Sequence, residues 1–241
     1  MTALKDGQWI FEKSMTKVSI PPACNERIYE GSNPALLQLT APFPTGAALD
    51  CGCGAGGNAR GLRQMGWRVT GITVSPRELE MASEWCEAVR LGDLNAGIPQ
   101  EAGGPFDLVV FSHVLEHLLH PDVALRDAHR LLTPDGRLIV ALPNVLYWRM
   151  RLKFLFGEFK YEPTGIMDET HVRFYTFRSG MELLRSNGFE IVSTLGDGAF
   201  PLPFLRGLLP AIAQFLDPLA SRLVPSLFGT QILYVARVAR R

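Results

Sequence analysis

Asp50 runs directly into Cys51-Gly52-Cys53-Gly54-Ala55-Gly56-Gly57, an acid at a strand end followed by a glycine loop that opens a helix. Such a junction binds the charged end of a nucleotide-like cofactor, because bare backbone approaches a ligand where a side chain would block it. Gly52, Gly54 and Gly57 also satisfy the dinucleotide spacing, so the loop alone admits a nicotinamide cofactor as well as an adenosyl one. A nicotinamide site carries an acid for the ribose after its second strand, or an arginine for a 2′-phosphate. Thr73 and Arg77 occupy that region here, which keeps an NADPH-dependent reductase open as a reading.

Three histidines offer proton chemistry. His113 follows Ser112 at the end of an apolar run, His117 lies four residues on, and His171 sits in the polar stretch Asp168-Glu169-Thr170-His171-Val172-Arg173. An imidazole with an unperturbed pKa of ~6.5 suits deprotonation of a hydroxyl near neutrality, and we rank the candidates His113, His171, His117. The plainer alternatives are local capping for Glu116 and His117, and an Asp168–Arg173 ion pair beside an uninvolved His171. Arg149, Arg151 and Lys153 read either as contacts for an anionic substrate or as a solvated helix face.

The elements that must position these groups alternate. Short apolar or β-branched runs at 47–50, 68–74, 88–92, 106–112 and 137–142 are bounded by Gly, Pro or Asp, the pattern of buried parallel strands. Helices are expected at 58–65, 76–85 and 121–132, with Ser75 capping the second, Pro76 at its first position and Glu78 in its first turn. This alternation predicts a doubly wound α/β sheet with ligands at the strands' carboxyl ends. Later, 176–187 reads as a helix, while 188–195 and 230–238 read as an antiparallel strand pair at one edge.

Composition narrows the class. In 241 residues, 47% are hydrophobic and 20% charged, as in a globular protein, and 24 basic residues balance 24 acidic ones. No overall positive field recruits nucleic acid. The four cysteines form no C-x-x-C hook, so no metal site is expected from them. With no secretory h-region at the start, a cytoplasmic location is the expectation.

Two further stretches narrow the cofactor. Phe106-Asp107-Leu108-Val109-Val110-Phe111-Ser112-His113-Val114-Leu115-Glu116-His117 and Leu131-Leu132-Thr133-Pro134-Asp135-Gly136-Arg137-Leu138, taken with Asp50 to Gly57 and Gly92-Asp93-Leu94, resemble the class I S-adenosylmethionine-dependent methyltransferases. Leu142-Pro143-Asn144 through Leu152 and Met167 through Thr176 look more narrowly like methyltransferases of the methionine-biosynthesis (MetW) type and of quinone or surface-sugar pathways. The resemblance implies a Rossmann-like, seven-stranded, mostly parallel sheet with an antiparallel last strand. It implies S-adenosyl-L-methionine as cofactor and S-adenosyl-L-homocysteine as product. Asp50, Cys51, Gly52, Cys53, Gly54 and Gly57 would then hold the methionine end, and Thr73 and Val74 the ribose and adenine. Asp93 and Leu94 would meet the adenine, and Ser112 and His113 would face the reacting methyl. Thr73 departs from the family, which usually has Asp or Glu there; its single hydroxyl cannot make a bidentate charged contact.

The organisation expected is an N-terminal cap at 1–44, a cofactor domain at 45–199 and 229–241, and an apolar helical insertion at 200–228. Its prolines, Arg206, Asp217 and Arg222 exclude a bilayer span. That insertion reads as a lid over the substrate, a homodimer surface or a membrane-surface contact. The function expected is methyl transfer to a small-molecule acceptor, favouring an oxygen on a natural-product, quinone or saccharide intermediate. A cofactor-binding scaffold with little activity is the rival reading.

Overall fold

A computed structural model describes residues 27–198 and 219–239 of the chain. Seven strands, β1 (Ala47–Cys51), β2 (Arg68–Thr73), β3 (Ala88–Leu91), β4 (Phe106–Ser112), β5 (Leu132–Pro143), β6 (Phe189–Gly198) and β7 (Gly229–Val238), form one sheet in the order β3-β2-β1-β4-β5-β7-β6. The pairs among β1 to β5 are parallel, and β7 runs antiparallel to both β5 and β6. The expected doubly wound sheet and late antiparallel pair are both present. Its strand order reverses beside β1, so the carboxyl ends of β1 and β4 open the crevice where such sheets bind ligands.

Side chains alternate across the sheet, and both faces are buried. Leu49, Ile72, Val109, Phe111 and Val140 pack on one face with Leu125 and Ala128 of α4 (Pro121–Leu131) and Leu184 of α6 (Phe177–Ser186). Ala48, Val69, Leu108, Val110 and Ile139 pack on the other with Leu36 of α1 (Pro34–Thr40), Ala59 and Leu62 of α2 (Gly57–Gln64) and Ala82 of α3 (Pro76–Ala82). This two-sided burial is why the strands read as near-continuous apolar runs. Truncating Leu49, which is fully buried at the centre of the sheet, to alanine costs about 2–5 kcal/mol.

Local signals set the helix starts. Glu78 N–H donates to the Ser75 hydroxyl at 3.4 Å, and Pro76 follows at the first position of α3, as expected. Thr176 and Ser179 form a reciprocal capping box at α6. Three boundaries differ from expectation by three residues or more, and one is the end of β6, at Gly198 instead of 195. α3 stops at Ala82, three residues early, and β5 begins at Leu132 instead of 137 because Leu132 pairs with Phe106 and the Thr133 hydroxyl donates to Asp107 at 3.2 Å. Between β5 and α6 lies α5 (Trp148–Leu155), and a four-residue α7 (Pro225–Phe228) precedes β7. Most of the expected insertion, including Asp217 and its prolines up to Pro218, lies outside the described residues, as does 1–26 of the expected cap.

Candidate functional site

The loop after β1 stays bonded to β2, since the Gly52 and Cys53 amides both donate to Ile72 O, at 2.9 and 2.8 Å. Gly54 has φ +53°, and a Cβ there would stand 2.3 Å from Tyr29 O, which accepts the Ala55 amide at 2.8 Å. Gly56, at φ +90°, turns the chain into α2. The left-handed positions are therefore Gly52, Gly54 and Gly56, while Gly57 is already helical and packs beneath Gly31. Residues 27–33 cross over the loop, so part of the demand for glycine comes from this strap and not from a ligand.

Asp50 is fully buried at the end of β1, and neither carboxylate oxygen has a hydrogen-bond partner among the described residues. Burial pushes its carboxyl up to about 7. A buried acid without a donor, next to a loop of bare backbone, fits a ligand bearing a cationic group such as an α-ammonium. Cys51 and Cys53 are buried on either side of Gly52, and burial raises the Cys51 thiol far above its ordinary value. Cys51 packs as a small apolar residue.

On the β2 side, Thr73 is buried and its hydroxyl donates to Glu78 Oε2 at 2.6 Å while accepting the Ser75 amide at 3.2 Å. The other Glu78 oxygen accepts the Tyr29 amide at 2.9 Å. Val74 is half-buried beside them. After β3, Asp93 Oδ1 accepts from the Asn95 amide and side chain at 2.9 and 3.0 Å, an Asx turn, and Leu94 belongs to the core.

At the end of β4, Ser112 is half-buried and His113 takes φ +56°, the one non-glycine in the left-handed region among the described residues. This turn aims the imidazole between two elements. Its Nδ1 lies 3.3 Å from Glu116 Oε1, and its Nε2 lies 2.8 Å from Gln231 Oε1 on β7. The Gln231 amide is oriented by donation to Asp197 Oδ2 at 2.7 Å and by acceptance from Asn33 Nδ2 at 2.8 Å. Both ring nitrogens of His113 thus face acceptors. Desolvation opposes its charge, but the Glu116 hydrogen bond and charge, with Gln231 and Asp197, hold His113 above the ordinary imidazole value.

Glu116 is fully buried, and among the described residues its carboxylate lies against His113 and His171. His171 Nε2 is 3.9 Å from it, and the His117 and His171 rings meet edge-on at 4.8 Å between centroids. His171 Nδ1 lies 3.1 Å from Ile166 O, and His117 Nδ1 lies 3.2 Å from both Thr170 O and Thr170 Oγ1. Burial lowers the His171 pKa. One ligand-type atom each from Glu116, His117 and His171 lies within 4.8 Å of the others, an arrangement with room for a cation that cysteine spacing gave no hint of.

Apart from Asp93 and Leu94, the sequence candidates lie in two groups at or beyond the carboxyl ends of the strands. Asp50 to Gly57 with Thr73 and Val74 form one, and Ser112, His113, His117 and His171 form the other around Glu116. The loop 168–173 is drawn in because the Val172 and Arg173 amides both donate to Glu116 O at 3.0 Å. Asp168 and Arg173 do not form the ion pair considered above. Asp168 pairs with Arg27 at 3.1 Å, and Arg173 donates to Leu118 O and Leu119 O, since those carbonyls lie nearer its guanidinium. Arg151 caps Leu146 O and Lys153 pairs with Glu162 at 2.8 Å, so these cations serve the chain itself.

Residues 26–194 match the family described as "Methyltransferase domain". The chain belongs to that family. As a class I S-adenosylmethionine-dependent methyltransferase by fold and motif, it takes S-adenosylmethionine as its cofactor, and the unpartnered Asp50 and the glycine loop fit that group. It is 31% identical over 134 residues to a ubiquinone biosynthesis O-methyltransferase of Caulobacter sp. (strain K31), covering 53% of each chain. Against the ubiquinone biosynthesis O-methyltransferase of Pseudomonas aeruginosa (strain UCBPP-PA14) it is 32% identical over 108 residues, covering 40% of this methyltransferase and 44% of that one. The chain spans about half the length of the curated relatives it matches. Among solved structures, a methyltransferase from Archaeoglobus fulgidus aligns with TM-score 0.59 at 17% identity, covering 84% of this chain and 91% of that one. The magnesium protoporphyrin IX methyltransferase of Synechocystis, solved with bound S-adenosylhomocysteine, aligns at 0.54 and 19%, covering 85% and 80%.

Four residues at the candidate site of this methyltransferase had no binding or catalytic role assigned from the sequence. Gly56 was hidden by the dinucleotide spacing, Glu78 counted only as a helix-start acid, Glu116 as a capping residue, and Gln231 was not singled out. The first three lie in motifs already noted. Only pairing of β7 with β5 brings Gln231 to His113.

Proposed function

We propose that this protein transfers the methyl group of S-adenosylmethionine to an oxygen of a small, partly apolar hydroxylated molecule in the cytoplasm. The observation that carries this reading is the His113–Glu116 pair at the carboxyl end of β4, where a hydroxyl-bearing acceptor would need a proton taken up. The cofactor, when bound, supplies a methyl on a sulfonium sulfur. Transfer then needs alignment of an oxygen with that carbon and exclusion of water.

The residues divide this work. Asp50 and the loop to Gly57 hold the charged end of the donor. His113 accepts the acceptor's proton at Nε2, taking the acceptor hydroxyl where Gln231 Oε1 stands in the free protein, and Glu116 at Nδ1 stabilises the imidazolium formed. His171 and His117 frame the Glu116 carboxylate. Exposed Leu146, Leu152, Leu155, Phe156 and Phe159 around α5, with Leu219 and Leu223 farther along the chain, support an acceptor with apolar surface. The similarity to ubiquinone biosynthesis O-methyltransferases supports oxygen over nitrogen or carbon.

The test is incubation with methyl-labelled S-adenosylmethionine and a panel of phenols, catechols, saccharide hydroxyls and amines, with products identified by mass spectrometry. O-methyl products lost in His113→Ala are expected. Label appearing only on amines would overturn the oxygen assignment, and no label on any acceptor would favour a cofactor-binding scaffold.

A further inference from the structure

A nucleoside ribose lying across the carboxyl ends of a doubly wound sheet is held by an acid near the end of the second strand, because a carboxylate accepts from both hydroxyls of the cis-diol. Thr73 stands at that strand end and cannot serve. Its one O–H is already given to Glu78 Oε2 at 2.6 Å, and its oxygen takes the Ser75 amide. The buried acids among the described residues are Asp50, Glu78, Glu116 and Asp168, and of these only Glu78 lies against the end of β2.

Glu78 is held there by three features. It occupies the first turn of α3, set by the Ser75 cap and Pro76. The Thr73 hydroxyl fixes one of its oxygens and the Tyr29 amide fixes the other at 2.9 Å. No lysine or arginine among the described residues pairs with it. A carboxylate has about four lone-pair sites, so two neutral donors leave it able to accept two more.

We infer that Glu78 is the ribose-binding acid of this methyltransferase, moved from the end of β2 to the first turn of α3, with Thr73 as the residue that positions it. The inference rests on S-adenosylmethionine as the cofactor. Glu78 reads the hydroxyls, so its effect belongs to ligands that carry them.

Calorimetric titration of S-adenosylhomocysteine and of its 2′,3′-dideoxy analogue, into wild type, Glu78→Gln and Thr73→Val, tests it. Glu78→Gln is expected to weaken S-adenosylhomocysteine about tenfold or more, the range of one charge-assisted hydrogen bond, and to leave the dideoxy analogue unchanged. Thr73→Val keeps the charge and loses the positioning, so it gives a smaller loss that is again confined to the hydroxylated ligand. Equal losses for both ligands would overturn the inference, since Glu78 would then only tether Tyr29; so would a wild type that does not discriminate between them. A wild type that binds neither ligand would overturn the cofactor assignment and this inference with it.

Discussion

His113 Nδ1 stands 3.3 Å from Glu116 Oε1, a contact made across a single turn and closed from the other side by Gln231 on β7. The pair is asymmetric in exposure: the His113 side chain is 41% exposed and that of Glu116 is fully buried. A buried carboxylate beside the exposed imidazole favours its charged form and raises its pKa.

His113 is therefore expected to titrate above the ordinary imidazole value, and His171, lowered by burial, below it. A raised imidazole contributes stability that is full below the unfolded value of ~6.5 and is lost as pH rises through the folded value. NMR titration of the ring carbons reads both. Glu116→Gln should bring His113 back toward 6.5, and the pH at which methyl transfer becomes half-maximal should move down with it. A His113 titration unaffected by that substitution would break the proposed link.

Asp50 acts in the same direction, over a lower pH window. Its folded value of about 7 exceeds the ordinary 3.8, so between these values the native protein keeps a proton that the unfolded chain has released. Stability of the ligand-free protein should fall across that window by ~1.4 kcal/mol per pH unit at most. Asp50→Asn should flatten the dependence in urea melts at pH 5 and 7.5. Affinity for S-adenosylhomocysteine, whose ammonium needs the ionised acid, should rise with pH up to about 7 in wild type and stay low in the variant.

Restoring an acid at the end of β2 would not help here. Thr73→Asp places a second carboxylate against Glu78 in a buried setting, where like charges raise each other's pKa. A loss of roughly 2 kcal/mol, or about 4–8 °C in melting temperature, is expected. Thr73→Asp combined with Glu78→Gln removes the clash and should melt close to wild type.

Gly54→Ala tests the strap. A Cβ 2.3 Å from Tyr29 O at φ +53° forces the strap or the loop to shift. A cost of about 2 kcal/mol is expected, with loss of the Ala55–Tyr29 hydrogen bond. Hydrogen exchange at the Ala55 amide should accelerate. Unchanged protection there would show that the strap does not need this glycine.

The sequence by itself determined the parts governed by local rules. Apolar runs of the right length gave β1 to β4 within a residue or so, because strands buried on both faces need nearly every position apolar. Ser75-Pro76 fixed the start of α3, because a side-chain acceptor and a preset φ act within one turn. Asp50 and the glycines marked the loop proposed to hold the cofactor, since bare backbone beside an acid is chemistry written in consecutive residues. Only tertiary structure decided what depends on distant segments meeting. Insertion of β7 between β5 and β6 brought Gln231 to His113, 118 residues away in the chain. The strap carried Tyr29 to Glu78 and Ala55, and Arg27 rather than Arg173 to Asp168. Charge state followed burial, which no local pattern encodes: Asp50 and Glu116 are ordinary acids in the sequence, and sheet and loop packing made both into buried carboxylates.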